Sequence, residues 1–191
     1  MNILSNVYVI LIILVMNPIE LFSQAEIRKY RIDEVPNFNF ETITTRASDG
    51  IGTELDIYVE IAYDEIQFIK SGNTFTAKYE ISINLINSSG VPQAARTVQE
   101  FIEVVDFDDT NSRELFKVTK INFLLKKDLY LGNIRVLDLD TRKTGSRRIK
   151  INIPDYSEKL SISDILFINK VEETDSNKTI IYPNISGAFI S

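Results

Sequence analysis

The stretches Thr74–Leu85, TFTAKYEISINL, and Glu54–Tyr63, ELDIYVEIAY, decide the fold class. In the first, Phe75, Ala77, Tyr79, Ile81, Ile83 and Leu85 alternate with Thr74, Thr76, Lys78, Glu80, Ser82 and Asn84. In the second, Leu55, Ile57, Val59, Ile61 and Tyr63 alternate with Glu54, Asp56, Tyr58 and Glu60. Successive side chains of a strand point to opposite faces. A strict period of two therefore places each apolar set on one face of a half-solvated strand. The β-branched and aromatic residues in both runs suit that surface. Ser71-Gly72-Asn73 and Asn87-Ser88-Ser89-Gly90 bracket the longer run as turns.

Further strand patterns lie on either side. Asn37–Thr45 reads as a first strand upstream, and Thr97–Val105 as a strand ending in the polar turn Asp106–Ser112. Leu115–Leu125 turns Ile121, Phe123 and Leu125 to one face. Tyr130–Leu139 and Arg147–Ile153 form a hairpin around Thr141–Gly145, with Ile149, Ile151 and Ile153 inward. Leu160–Ile168 and Thr179–Tyr182 are expected as the last strands. No stretch shows a capped 3.6-residue period. About eight short strands with turns at intervals of roughly 8–12 residues describe an all-β protein. Seven glycines are few for the corners of a closed barrel. The expected fold is therefore an immunoglobulin-like antiparallel β-sandwich, preceded by a signal peptide.

That signal is read from the first 25 residues. Val7–Met16, VYVILIILVM, is an uninterrupted apolar run, broken by Asn17-Pro18. Ser23-Gln24-Ala25 offers small residues where a signal peptidase reads, so cleavage after Ala25 is expected. The run is far shorter than the roughly 20 residues that span a bilayer, so no transmembrane anchor should remain after cleavage. The product would be secreted or periplasmic. The expected organisation is a signal peptide over 1–25, a lead-in with a possible first strand over 26–53 and the sandwich over 54–171. A polar linker and the start of a possible further domain occupy 172–191.

Composition excludes more than any motif suggests. The chain has no histidine, cysteine or tryptophan. This removes Ser–His and Cys–His nucleophile pairs, ordinary zinc sites and disulfides. Of 27 acidic residues only Glu20 leaves with the leader, so 26 oppose 21 basic ones and the mature charge is −5. An acidic surface disfavours nucleic acid, whose phosphates demand a basic one. No catalytic residue and no cofactor is expected.

Two clusters stand out as site candidates. Asp106, Asp108 and Asp109 share a turn with Asn111 and Ser112, an oxygen-rich set of the kind calcium prefers. The calcium-loop pattern fails, however: no glycine sits at the sixth place, and Lys117 stands where a bidentate Glu belongs. Arg142, Lys143, Arg147, Arg148 and Lys150 form a dense basic patch suited to an anionic polysaccharide or lipid headgroup. The plainer expectation is that Arg148 and Lys150, alternating with isoleucines, occupy the outer face of a strand. Tyr58, on the polar face of its strand, would be the stacking residue of a glycan site.

Several of these segments, in this order, resemble the N-terminal region of the secreted bacterial GWxTD-domain proteins. The residues that carry the resemblance are Ile57–Tyr63 with Ile66-Gln67-Phe68, then Phe75–Ile81, Leu160–Ile165 and Tyr182-Pro183-Asn184. The naming motif requires a tryptophan that this chain lacks, so a further domain is expected beyond Ser191. The resemblance implies no catalytic residue. The leading expectation is a non-catalytic structural or protein-interaction module, whose partner is a protein or a cell-surface glycan. The alternatives are a carbohydrate-binding module using exposed tyrosines and a hydrolase using two carboxylates.

Overall fold

The computed structural model describes residues 36–48, 50, 52–156, 161–173 and 179–185. The expected signal peptide and its cleavage site lie outside these residues. The described residues belong to one compact unit, Val35–Ser191.

The strands are β1 (Asn39–Arg46), β2 (Thr53–Ala62), β3 (Ile69–Ser71), β4 (Thr74–Ile86), β5 (Pro92–Val104), β6 (Phe116–Leu125), β7 (Asp128–Asp138), β8 (Thr144–Ile153), β9 (Ile168–Glu173) and β10 (Thr179–Pro183). Single 3-10 turns at Tyr63–Glu65 and Asp108–Asn111 are the only helical elements among the described residues. All pairings are antiparallel. One sheet has the order β1-β2-β6. β9 and β10 form a two-stranded sheet of their own, and the other large sheet runs β5-β4-β7-β8, with the short β3 sharing the β7 edge of β4. In immunoglobulin lettering these are A-B-E and C′-C-F-G, so the fold is an immunoglobulin-like antiparallel sandwich.

The two sheets pack through the residues that the alternation assigned inward. Leu55, Ile57, Val59 and Ile61 of β2 and Ile121, Phe123 and Leu125 of β6 meet Ala77, Tyr79, Ile81, Ile83 and Leu85 of β4. Ile134, Val136, Ile151 and Ile153 extend the same core on β7 and β8. On β4 the opposite face stays at least partly open, so it is the half-solvated strand its sequence describes.

A feature the linear reading missed closes the turn between β6 and β7. The Tyr130 hydroxyl donates to the Lys126 carbonyl at 3.0 Å. This is the tyrosine corner of immunoglobulin sandwiches, a tyrosine near the start of strand F bonded to backbone just upstream. Two residues later, where antibody domains carry a cysteine, stands Gly132; a Cβ there would lie 3.1 Å from Ile149 and 3.3 Å from Leu85. Apolar packing fills the place of the disulfide. At Gly145 the Pro36 carbonyl comes so near that an added Cβ would lie 2.0 Å from its oxygen. Any side chain there would push residues 36–38 away from β8.

Several boundaries differ from expectation: β7 begins at Asp128 and not Tyr130, β8 begins at Thr144 and not Arg147, and the short β3 is not among the expected strands. β5 begins at Pro92 rather than Thr97, because the Asn87–Gly90 turn leads into pairing almost at once. Tyr63 leaves the β2 alternation for a 3-10 turn. Of the expected strand Leu160–Ile168, Leu160 lies outside the described residues, 161–167 belong to no strand, and β9 begins only at Ile168.

The core holds two tyrosines in opposite circumstances. Tyr79 is fully buried and its hydroxyl makes no hydrogen bond of good geometry, interacting only with the Thr119 side chain, whereas the Tyr130 hydroxyl has one. Removing an unpaired buried polar group can be neutral or stabilising, while losing a made bond costs about 1 kcal/mol. Tyr79→Phe is therefore expected to match or exceed the parent in urea denaturation, and Tyr130→Phe to lose about 1 kcal/mol. Equal losses from both would contradict this assignment of partners.

Candidate functional site

The polar face of β2 departs most from a half-solvated strand. Asp56, Tyr58 and Glu60 are all buried, Tyr58 to 6% exposure. Part of the cover comes from residues directly across the ladder. In register with Asp56 and Tyr58 on β6 are Asn122 and Lys120. Asn122 donates to Asp56 Oδ1 at 2.8 Å, and Lys120 Nζ lies 2.7 Å from Asp56 Oδ2. Such cross-strand pairs are the unit by which a sheet face is stabilised. Desolvation works against the Lys120 ammonium, but the hydrogen bond and charge of Asp56 outweigh it and hold its pKa above the ordinary lysine value. The same ammonium lies 5.7 Å from the centre of the Tyr58 ring. Burial raises the Tyr58 phenol, against the pull of Lys120.

The rest of the cover comes from the C-terminal segment. Ile185 and Leu166 pack with Ile43, Tyr58 and Val118 into a second, smaller apolar cluster on the outside of the β1-β2-β6 sheet. Asp164 fixes the segment in place. Its Oδ2 accepts from the Thr44 amide at 2.8 Å and the Thr44 hydroxyl at 2.7 Å, and its own amide donates to the Thr44 carbonyl at 3.2 Å. The Thr44 hydroxyl also lies 2.8 Å from the Tyr156 hydroxyl, which is buried beside it. Ile185 falls in the stretch expected to lead toward a further domain, yet it is buried against this sheet.

The sequence-derived candidates are dispersed by this architecture. Tyr58 is on the outer face but covered, and Tyr79, Tyr130 and Tyr156 are buried too. Among the described residues no exposed row of tyrosines exists. Asp106 Oδ1 accepts from the Asp108 amide at 3.4 Å, and Asp108 and Asp109 begin the 3-10 turn that Thr110 closes by donating to the Phe107 carbonyl. Among the described residues no three His, Cys, Asp or Glu side chains form a group able to hold a metal ion.

The basic patch divides. Buried Asp138 shapes the β7–β8 loop, accepting the Asp140 and Thr141 amides on one oxygen and the Gln67 amide on the other. Arg142 then takes a left-handed conformation, φ +63°, and Lys143 leads into β8; both are exposed. Arg147 is engaged inward, over the Phe38 ring and bonded to Asn37 Oδ1. Arg148 and Lys150 project from the outer face of β8.

Two further features were not legible as sites. A cleft of about 260 Å³ is lined by Asn37, Asn39, Glu60, Glu65, Arg113 and Phe116 among others. Its carboxylates serve local structure: Glu60 accepts from Asn39, and Glu65 from the Asn37 amide. The other feature is apolar. Ile162, Ile165, Phe167, Ile168 and Val171 are between 46% and 85% exposed along one short stretch. Leu160–Ile168 is expected as a strand, but of these five side chains Ile162, Ile165 and Phe167 lie in no strand, and all five face solvent. No protein-family model matches this sequence, and no curated protein does either.

The anchoring role of Asp164 has a specific readout. The Thr44 amide bonds to its carboxylate. In Asp164→Ala the exchange of the Thr44 amide hydrogen should accelerate strongly, while amides at the centre of β4 keep their protection. An unchanged Thr44 rate would mean that the segment is held by other contacts.

Proposed function

We propose that this protein is a non-catalytic β-sandwich module of an exported bacterial protein, one that works by docking another protein. The observation that carries this reading is the apolar stretch from Ile162 to Val171. The segment is pinned to the sandwich by Asp164, Leu166 and Ile185, yet it turns five large apolar side chains outward. Scattered apolar residues on a surface need no explanation, but a concentration of them marks an interaction site. Anchoring a short docking segment on a rigid sheet limits the ordering cost of binding. The apolar leader pattern supports export, and the resemblance of several segments to GWxTD-domain proteins supports a place among secreted bacterial modules. Glycan binding has less support, because Tyr58 is covered and only Arg142, Lys143, Arg148 and Lys150 remain as an outward basic group.

The test is site-specific photocrosslinking in the native host, with a photoreactive residue at Ile165 or Phe167 and a control at Asn152 on the outer face of β8. A discrete protein adduct is expected at the first two positions and not at the third. Its partner should lose affinity for an Ile165→Ser/Phe167→Ser variant that melts like the parent. Retention on an anionic polysaccharide matrix that depends on Arg142 and Arg148, with no protein adduct, would overturn the reading in favour of glycan binding.

A further inference from the structure

We infer that β5 pairs with β5 of a second copy, joining two C′-C-F-G sheets into one continuous sheet across a twofold axis at Val98. β5 is a thirteen-residue strand bonded to β4 along one edge only among the described residues. Its ladder with β4 is regular from Val104 back to Ala94, the one irregularity falling at Leu85/Ile86 near the turn. Pro92 at its very start is its only proline. A long, flat, unpaired edge is a template for another strand. The β1 edge is less open. Asp164 bonds its outward backbone groups at Thr44.

The occupant is specified by the side chains. Arg96, Val98, Glu100 and Ile102 lie on one face of β5, and Ala95, Thr97, Gln99 and Phe101 on the other. Charges on the inner face of an edge strand normally deter pairing. Here they are of opposite sign and sit two residues either side of Val98, the midpoint of the strand. Alternate residues direct their backbone groups outward, so an antiparallel partner must place residues of like parity opposite one another. With the axis at Val98, Arg96 faces Glu100 of the second copy and Glu100 faces its Arg96. Thr97 faces Gln99, Ala95 faces the half-exposed Phe101, and Ala94 faces Ile102.

Neighbouring registers fail. Moving the axis to Arg96 or Glu100 sets like charges against each other, and moving it to Thr97 or Gln99 sets both charges against apolar residues. One register therefore satisfies the whole strand, with about a dozen backbone hydrogen bonds across it. Glu100 is ready for the second cation. One oxygen accepts from Thr119, while the other lies only within 4.0 Å of Lys117. The interface is isologous and closes as a dimer, so it does not propagate into a fibre.

The test is sedimentation equilibrium of the full chain over a range of concentrations. The expected result is a monomer–dimer equilibrium. Arg96→Glu or Glu100→Arg alone, each placing like charges across the axis, should move its midpoint to roughly tenfold higher concentration or beyond. An equimolar mixture of the two variants should dimerise again, because each supplies the charge that the other now faces; this rescue also shows that both variants are folded. The chain has no cysteine, so Val98→Cys should give an oxidised covalent dimer and Gln93→Cys should not. A parent protein that stays monomeric throughout, or a dimer indifferent to both charge reversals, would overturn self-pairing and leave the edge to a different partner or to solvent.

Discussion

The structure depends on burying β2 from both sides. Its inner face supplies Leu55, Ile57, Val59 and Ile61 to the inter-sheet core, and burial of each aliphatic side chain contributes roughly 1.5–3 kcal/mol. Its outer face carries Asp56, Tyr58 and Glu60, which cannot leave water without partners. Asn122 and Lys120 on β6 supply partners for Asp56, Asn39 on β1 supplies one for Glu60, and Ile43, Leu166 and Ile185 cover Tyr58. The third layer formed by the C-terminal segment follows from the polar face of β2. This sheet is only three strands wide, so its centre is left open unless something from elsewhere in the chain crosses it.

That covering layer links the fold to the proposed function. Leu166 and Ile185 point toward the sheet, while Ile162, Ile165 and Phe167 point away from it. A segment held this way is rigid at its anchors and apolar at its surface, the arrangement expected of a docking element. The opposite sheet ends instead in β5, whose outward features are backbone groups and symmetric charges. The two surfaces suit different partners: an apolar partner at the C-terminal segment and a second copy at the strand edge.

The sequence made some of this plain and concealed the rest. β2 and β4 were legible because period-two alternation is local, and their inward residues are those the pattern named. The inward set of β6 and the Ile149–Ile153 face of β8 were read the same way. Burial of Tyr58 was not legible: alternation reports which face a residue occupies, and its cover comes from Ile185, far along the chain. Leu160–Ile168 misled because over residues 161–167 the apolar side chains serve a surface without a ladder, with Asp164 spent on the Thr44 backbone. The basic patch looked like one site because its residues are close in sequence. Phe38 and Asn37, more than a hundred residues upstream, draw Arg147 out of it. Tyr130 gave a faint signal, a tyrosine two residues before Gly132 at the start of a strand, but no cysteine marked the place.

The most direct measurement compares urea denaturation midpoints of Tyr58→Asp and Ser82→Asp. Both residues lie on outward faces, one on β2 and one on β4. Ser82 is only partly buried, so its substitution should cost within about 0.5 kcal/mol. Tyr58→Asp should destabilise by several times as much, because it sets a carboxylate beneath the Ile43–Leu166–Ile185 cover and beside Asp56. Equal, small effects from the two substitutions would show that the outer face of β2 is open to water, and would contradict the covering layer on which the rest depends.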